Sequence, residues 1–387
     1  MKRSILFHYS VFNVGGAEKS LLRLMTLLCD RDWTVTLVLN RPGGSLESAL
    51  DPRIEVLYLR SFSAGDRFKK AKGVLRRMAA LPDAAAYLIG ELEAKWRRKG
   101  FLRRRYTVAA VSLHGLDASF VCEEVSAGVR VHWIRNDLRQ CDPERKAYDN
   151  IRRHCSCIDR YLCVSRTARD SFVELFPDLT ERADLLYNVL LPDEMQRLSE
   201  VGTAPEMSCV KGLKVVTVCR LSDKAKGLLR MVRVHKRLYD EGIEFTWFVI
   251  GDGPDRELMQ RAVDEAGLEG KMILLGSREN PFPYYKAADI SATLSYYEGL
   301  CGAVNEAKVM GRPVIATEFS GIREQIVHGE TGWIVANDEE AIVTGMRRLL
   351  TDADLRKHLA NDLLPREILD DNYKIMKFQS LCSEEHS

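Results

Sequence analysis

Between residues 289 and 316 the sequence reads strand, loop, helix, strand, and no other feature constrains the fold as much. Residues 289–294 form a short apolar run, 296–299 a loop, 301–310 a helical pattern closed by Gly311, and 313–316 the next strand. Strands joined through a helix run parallel within one sheet. The helix therefore opens at the carboxyl end of a parallel strand. There, free first-turn N–H groups and the helix dipole attract an anion such as phosphate, by ~0.3–1 kcal/mol per charge.

Two carboxylates bracket that helix start. Glu298 lies in the loop and Glu306 eight residues on, a step that turns about 80° at 3.6 residues per turn, so both address one crevice. Spacing alone favours two solvated charges. Ala303, Val304, Ala307 and Met310 form the apolar face, however, and Glu306 sits against them. A carboxylate so placed needs partners, and sugar hydroxyls would supply them.

The same alternation runs through the rest of the chain. Strands are expected at residues 4–8, 34–39, 54–59, 106–111, 129–134, 161–164 and 185–189, with a loop at 10–16 that carries Gly15 and Gly16 into a helix over 17–29. Gly15 and Gly16 permit backbone amides to approach a ligand, and they equally fit a tight strand-to-helix turn. No third glycine or later acidic residue completes a dinucleotide fingerprint, which argues against a nicotinamide enzyme. His114 follows the strand at 106–111, a place where a histidine is often merely packed. A helix is expected to begin near Asp117. The polar stretch 192–210, with Gly202, Pro205 and Ser208, suits an interdomain linker. A second alternation starts at Leu213, and its first loop holds Arg220 and Lys226. A guanidinium fork and a point charge six residues apart suit a diphosphate, although alone they read as surface cations.

At 387 residues, 46% apolar and 29% charged, the chain has enough material for two cored domains and is neither disordered nor fibrous. Ten cysteines lie scattered without a framework of short spacings, so reduced thiols and a cytoplasmic protein are expected. His154, Cys155 and Cys157 would make half a metal site, but no second ligand pair follows at zinc-finger spacing. The N-terminal basic and apolar residues superficially resemble a signal peptide, yet His8, Ser10 and Asn13 interrupt the run. No stretch reaches the ~18 apolar residues of a membrane span.

Charge is unevenly spread. The formal net charge is +2, but residues 60–106 hold fourteen Lys or Arg against four Asp or Glu, a net of +10. The pattern there is helical, with Phe68, Val74, Leu75, Met78, Tyr87, Leu88, Leu92, Trp96, Phe101 and Leu102 set among the cations. No recognition motif accompanies the charge, so nucleic acid is not the expected partner. Interleaved aromatics point to an anionic membrane surface, at ~1 kcal/mol per cation near the headgroups.

The stretch 295–321 resembles the Glu-x7-Glu signature of retaining glycosyltransferases of family four. Gly311 to Thr317, Gly321 and the run from His328 to Gly332 match that family's downstream pattern. The resemblance is strong over 213–335 and weak in the N-terminal half. It departs at Cys301, usually Gly or Pro, at Asn305, usually apolar, and at Cys219, usually Gly. It implies the α/β GT-B fold, two Rossmann-like domains with parallel sheets facing a central cleft. The acceptor domain would span 1–195 with the basic insert 60–106, the linker 196–212 and the donor domain 213–365; residues 366–387 would cross back as a final helix.

The resemblance further implies a nucleotide-sugar donor, UDP- or GDP-linked, bound by Gly16, Arg220, Lys226, Ser277, Arg278, Glu298, Leu300, Cys301 and Glu306. Gly15, Gly16 and His114 would face the acceptor side. Arg220, Lys226, Glu298 and His114 would carry catalysis with retention, without a metal or other cofactor, since no Asp-x-Asp pair stands at a strand end. The expected acceptor is a lipid-linked or oligosaccharide chain of lipopolysaccharide, capsule or exopolysaccharide, at the inner face of the cytoplasmic membrane. Asn188 would serve a structural role. A GT-B epimerase and a non-catalytic partner subunit are the other readings.

Overall fold

The computed structural model describes residues 3–60, 78, 81–101, 103–361 and 364–382. They divide into two compact units, one drawn from Met1–Val164, Arg169–Val189 and Asn372–Ser387, the other from Ser165–Ala168 and Leu190–Asp371.

In the first unit the strands are β1 (Ser4–Tyr9), β2 (Thr34–Leu39), β3 (Glu55–Tyr58), β4 (Arg105–Val111), β5 (Ser126–Ile134), β6 (Arg160–Cys163) and β7 (Ala183–Leu185). All pair parallel, in the order β3-β2-β1-β4-β5-β6-β7. Unbroken apolar runs mark strands covered on both faces, and Ile5, Leu6, Phe7, Val108, Ala109 and Ala110 are all fully buried. Helix α1 (Gly16–Cys29) follows β1, and α2 (Leu81–Phe101) precedes β4. The final helix, Asp371–Leu381, returns Phe378 to this unit, where it stacks on Trp133 with centroids 5.7 Å apart.

In the second unit β8 (Leu213–Val218), β9 (Phe245–Ile250), β10 (Met272–Gly276), β11 (Ile290–Thr293), β12 (Val314–Thr317) and β13 (Trp333–Val335) form another parallel sheet. Its order is β10-β9-β8-β11-β12-β13. The chain walks outward from β8 to β10, then returns to the other side of β8 with β11. The loops after β8 and β11 therefore diverge, leaving a crevice at their carboxyl ends. The first sheet reverses in the same way between β1 and β4.

Several expectations change. The stretch foreseen as a linker folds instead as α3 (Pro192–Val201) and a short turn of helix at Pro205–Ser208. Pro192 starts α3 at its first turn, and Met195 and Ser199, four apart, give it a buried stripe. Helix α3 packs against α4 (Phe282–Ala287) and α5 (Gly302–Val309), so the polar residues are only its outer face. The helix expected from Asp117 is a single π-turn, Phe120–Glu124. Asn188 lies beyond the end of β7 rather than within a strand.

Cys122 and Cys157 are paired as a disulfide with Cα atoms 5.8 Å apart, contrary to the expectation of reduced thiols throughout. Only the fold brings these partners together across 35 residues, which no short spacing reveals. In the basic stretch Arg67, Phe68, Lys69, Lys70, Lys72, Val74, Leu75, Arg76, Arg77 and Leu102 lie outside the described residues. Among the described residues no helix is long and apolar enough to cross a membrane.

Candidate active site

The crevice between β8 and β11 gathers the two charge clusters that the sequence holds 72 residues apart. Lys226, from the loop after β8, donates a hydrogen bond to Glu298 Oε1, from the loop after β11. Ser295 Oγ donates to the same oxygen at 2.7 Å, and the Cys301 thiol approaches it at 3.8 Å. Both ion-pair side chains keep an opening to solvent, 20% exposed for Lys226 and 15% for Glu298. Burial opposes the Lys226 charge, but the Glu298 carboxylate outweighs it and holds the ammonium above its ordinary pKa. Arg220 stands exposed at the mouth of the same loop.

Glu306 lies on α5 and is 6% exposed, with Val304 and Ala307 buried beside it. It is not a solvated surface charge. Tyr285, fully buried on α4, stands next to it: burial first, then the Glu306 carboxylate, pushes the phenol well above its usual range. Leu300 and Cys301 are buried at the start of α5. Burial pushes the thiols of Cys219 and Cys301 up to about 12, so both stay protonated at neutral pH. Close backbone contacts shape the floor. Gly321 adopts φ +81°, and a Cβ there would lie 2.3 Å from the Gly299 carbonyl oxygen.

Arg278 does not join this cluster. Its guanidinium donates to Tyr284 Oη at 3.0 Å, to the Leu275 carbonyl at 2.6 Å and to Glu206 Oε1 at 2.7 Å. It braces the loop after β10 instead of pointing free, while Ser277 beside it is exposed.

Gly15, Gly16 and His114 belong to the first unit, at the loops after β1 and β4. Gly15 is the extended residue before α1, and Gly16 opens the helix with nothing within 4 Å of a Cβ. His114 accepts a hydrogen bond at Nδ1 from the Arg135 backbone N–H at 3.4 Å, and its Nε2 lies 3.5 Å from Cys141 Sγ. Burial lowers its pKa to about 4, with Asp142 opposing and Arg135 adding to the shift, so the ring is neutral at pH 7.

Sequence reasoning passed over Arg135, which is 9% exposed at the carboxyl end of β5. Its Nε donates to the Ser112 carbonyl at 2.9 Å and its Nη1 to Asn188 Oδ1 at 3.0 Å. Asn188 also takes the Ser20 hydroxyl at 2.8 Å, and its carbonyl takes Lys374 Nζ at 2.9 Å. Asn188 thus ties α1, β5 and the final helix together. A cation directly after a buried strand was the available signal for Arg135.

Residues 212–352 match the family model described as glycosyl transferases group 1. Over this segment the chain is similar to group 1 glycosyltransferases. Over 222 residues the chain is 28% identical to an N-acetylgalactosamine-N,N'-diacetylbacillosaminyl-diphospho-undecaprenol 4-alpha-N-acetylgalactosaminyltransferase of Campylobacter jejuni, covering 57% of this chain and 58% of that one. It is 29% identical over 138 residues to the lipopolysaccharide core biosynthesis glycosyltransferase LpsD of Rhizobium meliloti, covering 35% and 39%. The chain matches 58% of the length of the Campylobacter relative and 39% of LpsD. Among solved structures, HepE of Anabaena in complex with UDP superposes with TM-score 0.72 at 15% identity over 98% of each chain. WaaG, a glycosyltransferase involved in lipopolysaccharide biosynthesis, gives 0.70 at 15% over 99% of this chain and all of that one. These likenesses establish the GT-B fold.

Proposed function

We propose that the protein is a retaining glycosyltransferase that moves a sugar from a UDP- or GDP-linked donor to a lipid-linked, growing cell-surface saccharide. One observation carries this reading: Lys226 pairs with Glu298 in the loop just before α5, and α5 itself carries the buried Glu306. HepE is seen with UDP and with UDP-glucose, and the Campylobacter relative is named for an undecaprenol-linked acceptor, which supports both substrate classes.

In this reading the Lys226–Glu298 pair holds each group in place until the donor arrives. The diphosphate then takes Lys226, Arg220 and the first-turn amides of α5, while sugar hydroxyls take Glu298 and the ribose takes Glu306. Negative charge grows on the leaving diphosphate, so these cations bind the transition state more strongly than the ground state. Two cations and a helix terminus supply the charge that a divalent ion supplies elsewhere, and the reaction is metal-independent. Among the described residues no carboxylate is assigned as a nucleophile, and transfer proceeds on the front face through an ion-pair-like state with retention. In the first unit, neutral His114 offers a hydrogen-bonding group to a saccharide.

The acceptor side includes an anionic membrane surface, met through residues 60–106 at the inner face of the cytoplasmic membrane. Helix α2 supports this. Leu88, Ile89, Leu92 and Trp96 are 59–77% exposed, with Lys95 and Lys99 exposed among them. The opposite side is the bound one: Ala94 and Phe101 are buried, Glu91 pairs with Arg60, and Arg97 reaches the Tyr58 carbonyl at 2.9 Å.

The test is turnover of UDP- and GDP-sugars with a lipid-linked acceptor fraction, with and without EDTA, and the product anomer assigned by NMR. EDTA-resistant transfer with the donor's anomeric configuration is expected. Donor isomerised without acceptor, an inverted product or no turnover would overturn the reading.

A further inference from the structure

The two family departures on α5, Cys301 and Asn305, meet a third residue that no motif singles out. Gln325 ends α6 (Ile322–Gln325) and is 1% exposed. Its Oε1 accepts the Cys301 N–H at 3.1 Å, and its Nε2 donates to the Cys301 carbonyl at 2.8 Å and to Asn305 Oδ1 at 2.6 Å. One side-chain amide thus grips both peptide units of the residue before α5 and a side chain one turn inside it.

Cys301 is the N-cap of α5, at φ −76° and ψ 109°. A peptide unit is planar, so holding the Cys301 carbonyl also fixes the direction of the Gly302 N–H on the opposite side of the same plane. That N–H is the first amide of the helix, one of the groups with no partner inside it. The intrahelical alternative is weak, since Asn305 N–H reaches the Cys301 carbonyl only at 3.4 Å. Gly321, at the other end of α6, presses against the Gly299 carbonyl, so α6 clamps the loop on both sides of Leu300. Burying an amide this deep is costly unless its bonds are made, and here both its donor and its acceptor are used on the loop.

We infer that Gln325 is a positioning residue, which aims the first-turn amides of α5 at the diphosphate of the donor with Asn305 as its second anchor. The inference rests on the proposed donor site. It predicts that Gln325 affects phosphate recognition and leaves recognition of the nucleoside alone.

Wild type and Gln325→Leu are compared by calorimetric titration with UDP, GDP and the corresponding nucleosides, alongside melting temperature. About a tenfold loss of diphosphate affinity with nucleoside affinity unchanged is expected, the size of one hydrogen-bonded contact. A lowered melting temperature with an unchanged diphosphate-to-nucleoside ratio marks a merely structural residue and overturns the inference. If Gln325→Leu does not fold, Asn305→Leu removes the second anchor alone, and the same ratio decides. Should wild type bind no nucleotide, the donor reading fails and the positioning role with it. Binding by wild type with an equal ratio in the variants overturns only the role of Gln325.

Discussion

Lys226 and Glu298 neutralise each other in a half-open crevice, so each determines what the other costs. Lys226→Ala leaves the Glu298 carboxylate with Ser295 and Cys301 as its remaining neighbours and removes a cation from the leaving group. The account predicts a fall in kcat of ~10²–10³, as for loss of one preorganised electrostatic group, with the fold retained by circular dichroism. Steady-state kinetics checks this, and an unchanged kcat would contradict the role. The spacing of Arg220 and Lys226 was legible because both lie in one loop. The fate of Arg278 was not, since it is decided by Glu206, 72 residues away in a segment whose polarity suggested a linker. Gln325 was equally hidden: nothing local distinguishes a buried glutamine that grips a loop from one on a surface.

At the scale of elements, α2 shows what periodicity tells and what it withholds. The helical spacing of Tyr87, Leu88, Leu92 and Trp96 was visible, but a helical wheel does not say which side meets the protein. Tertiary contacts decide it: Phe101 packs edge-on against Phe120 with centroids 5.3 Å apart, Ala94 is buried, and the Leu88–Leu92–Trp96 side faces outward. Leu92→Ser with Trp96→Ser should cut binding to phosphatidylglycerol vesicles by tenfold or more while leaving binding to neutral vesicles weak, since two large apolar side chains are worth ~1.5–3 kcal/mol each when buried. Co-sedimentation measures it, and equal binding by the double variant would remove α2 from the membrane account. The short strands, by contrast, were legible as unbroken apolar runs, because parallel strands with both faces covered tolerate little else.

Over the whole molecule, two parallel sheets with the same reversal of strand order put loops at β1/β4 and β8/β11 where ligands bind. The alternation of strands and helices was legible, whereas the strand order with its two reversals, the disulfide and the folded 192–208 segment depended on packing that composition does not encode. The buried histidines give the molecule a pH signature. Burial lowers His114, His132 and His235 to about 4, against ~6.5 in an unfolded chain. Between these values the unfolded chain binds protons that the native state refuses. Stability from these groups is therefore complete above about pH 6.5 and is lost as pH falls toward 4, with a slope of up to ~4 kcal/mol per pH unit for three sites. Melting temperatures at pH 7.5, 6 and 5 should fall in that order, and a flat profile would show that the rings titrate in the native protein as they do in the unfolded chain. If Glu306 on α5 and Glu298 in the loop before it hold a nucleotide sugar, calorimetric titration of wild type and Glu306→Ala with UDP, GDP, ADP and their sugars reads it out. One nucleotide class should bind wild type, and the variant should bind it ~10–100-fold more weakly, the loss expected for hydrogen bonds to a charged group. No binding to wild type at millimolar concentration, or equal binding to both proteins, would contradict it.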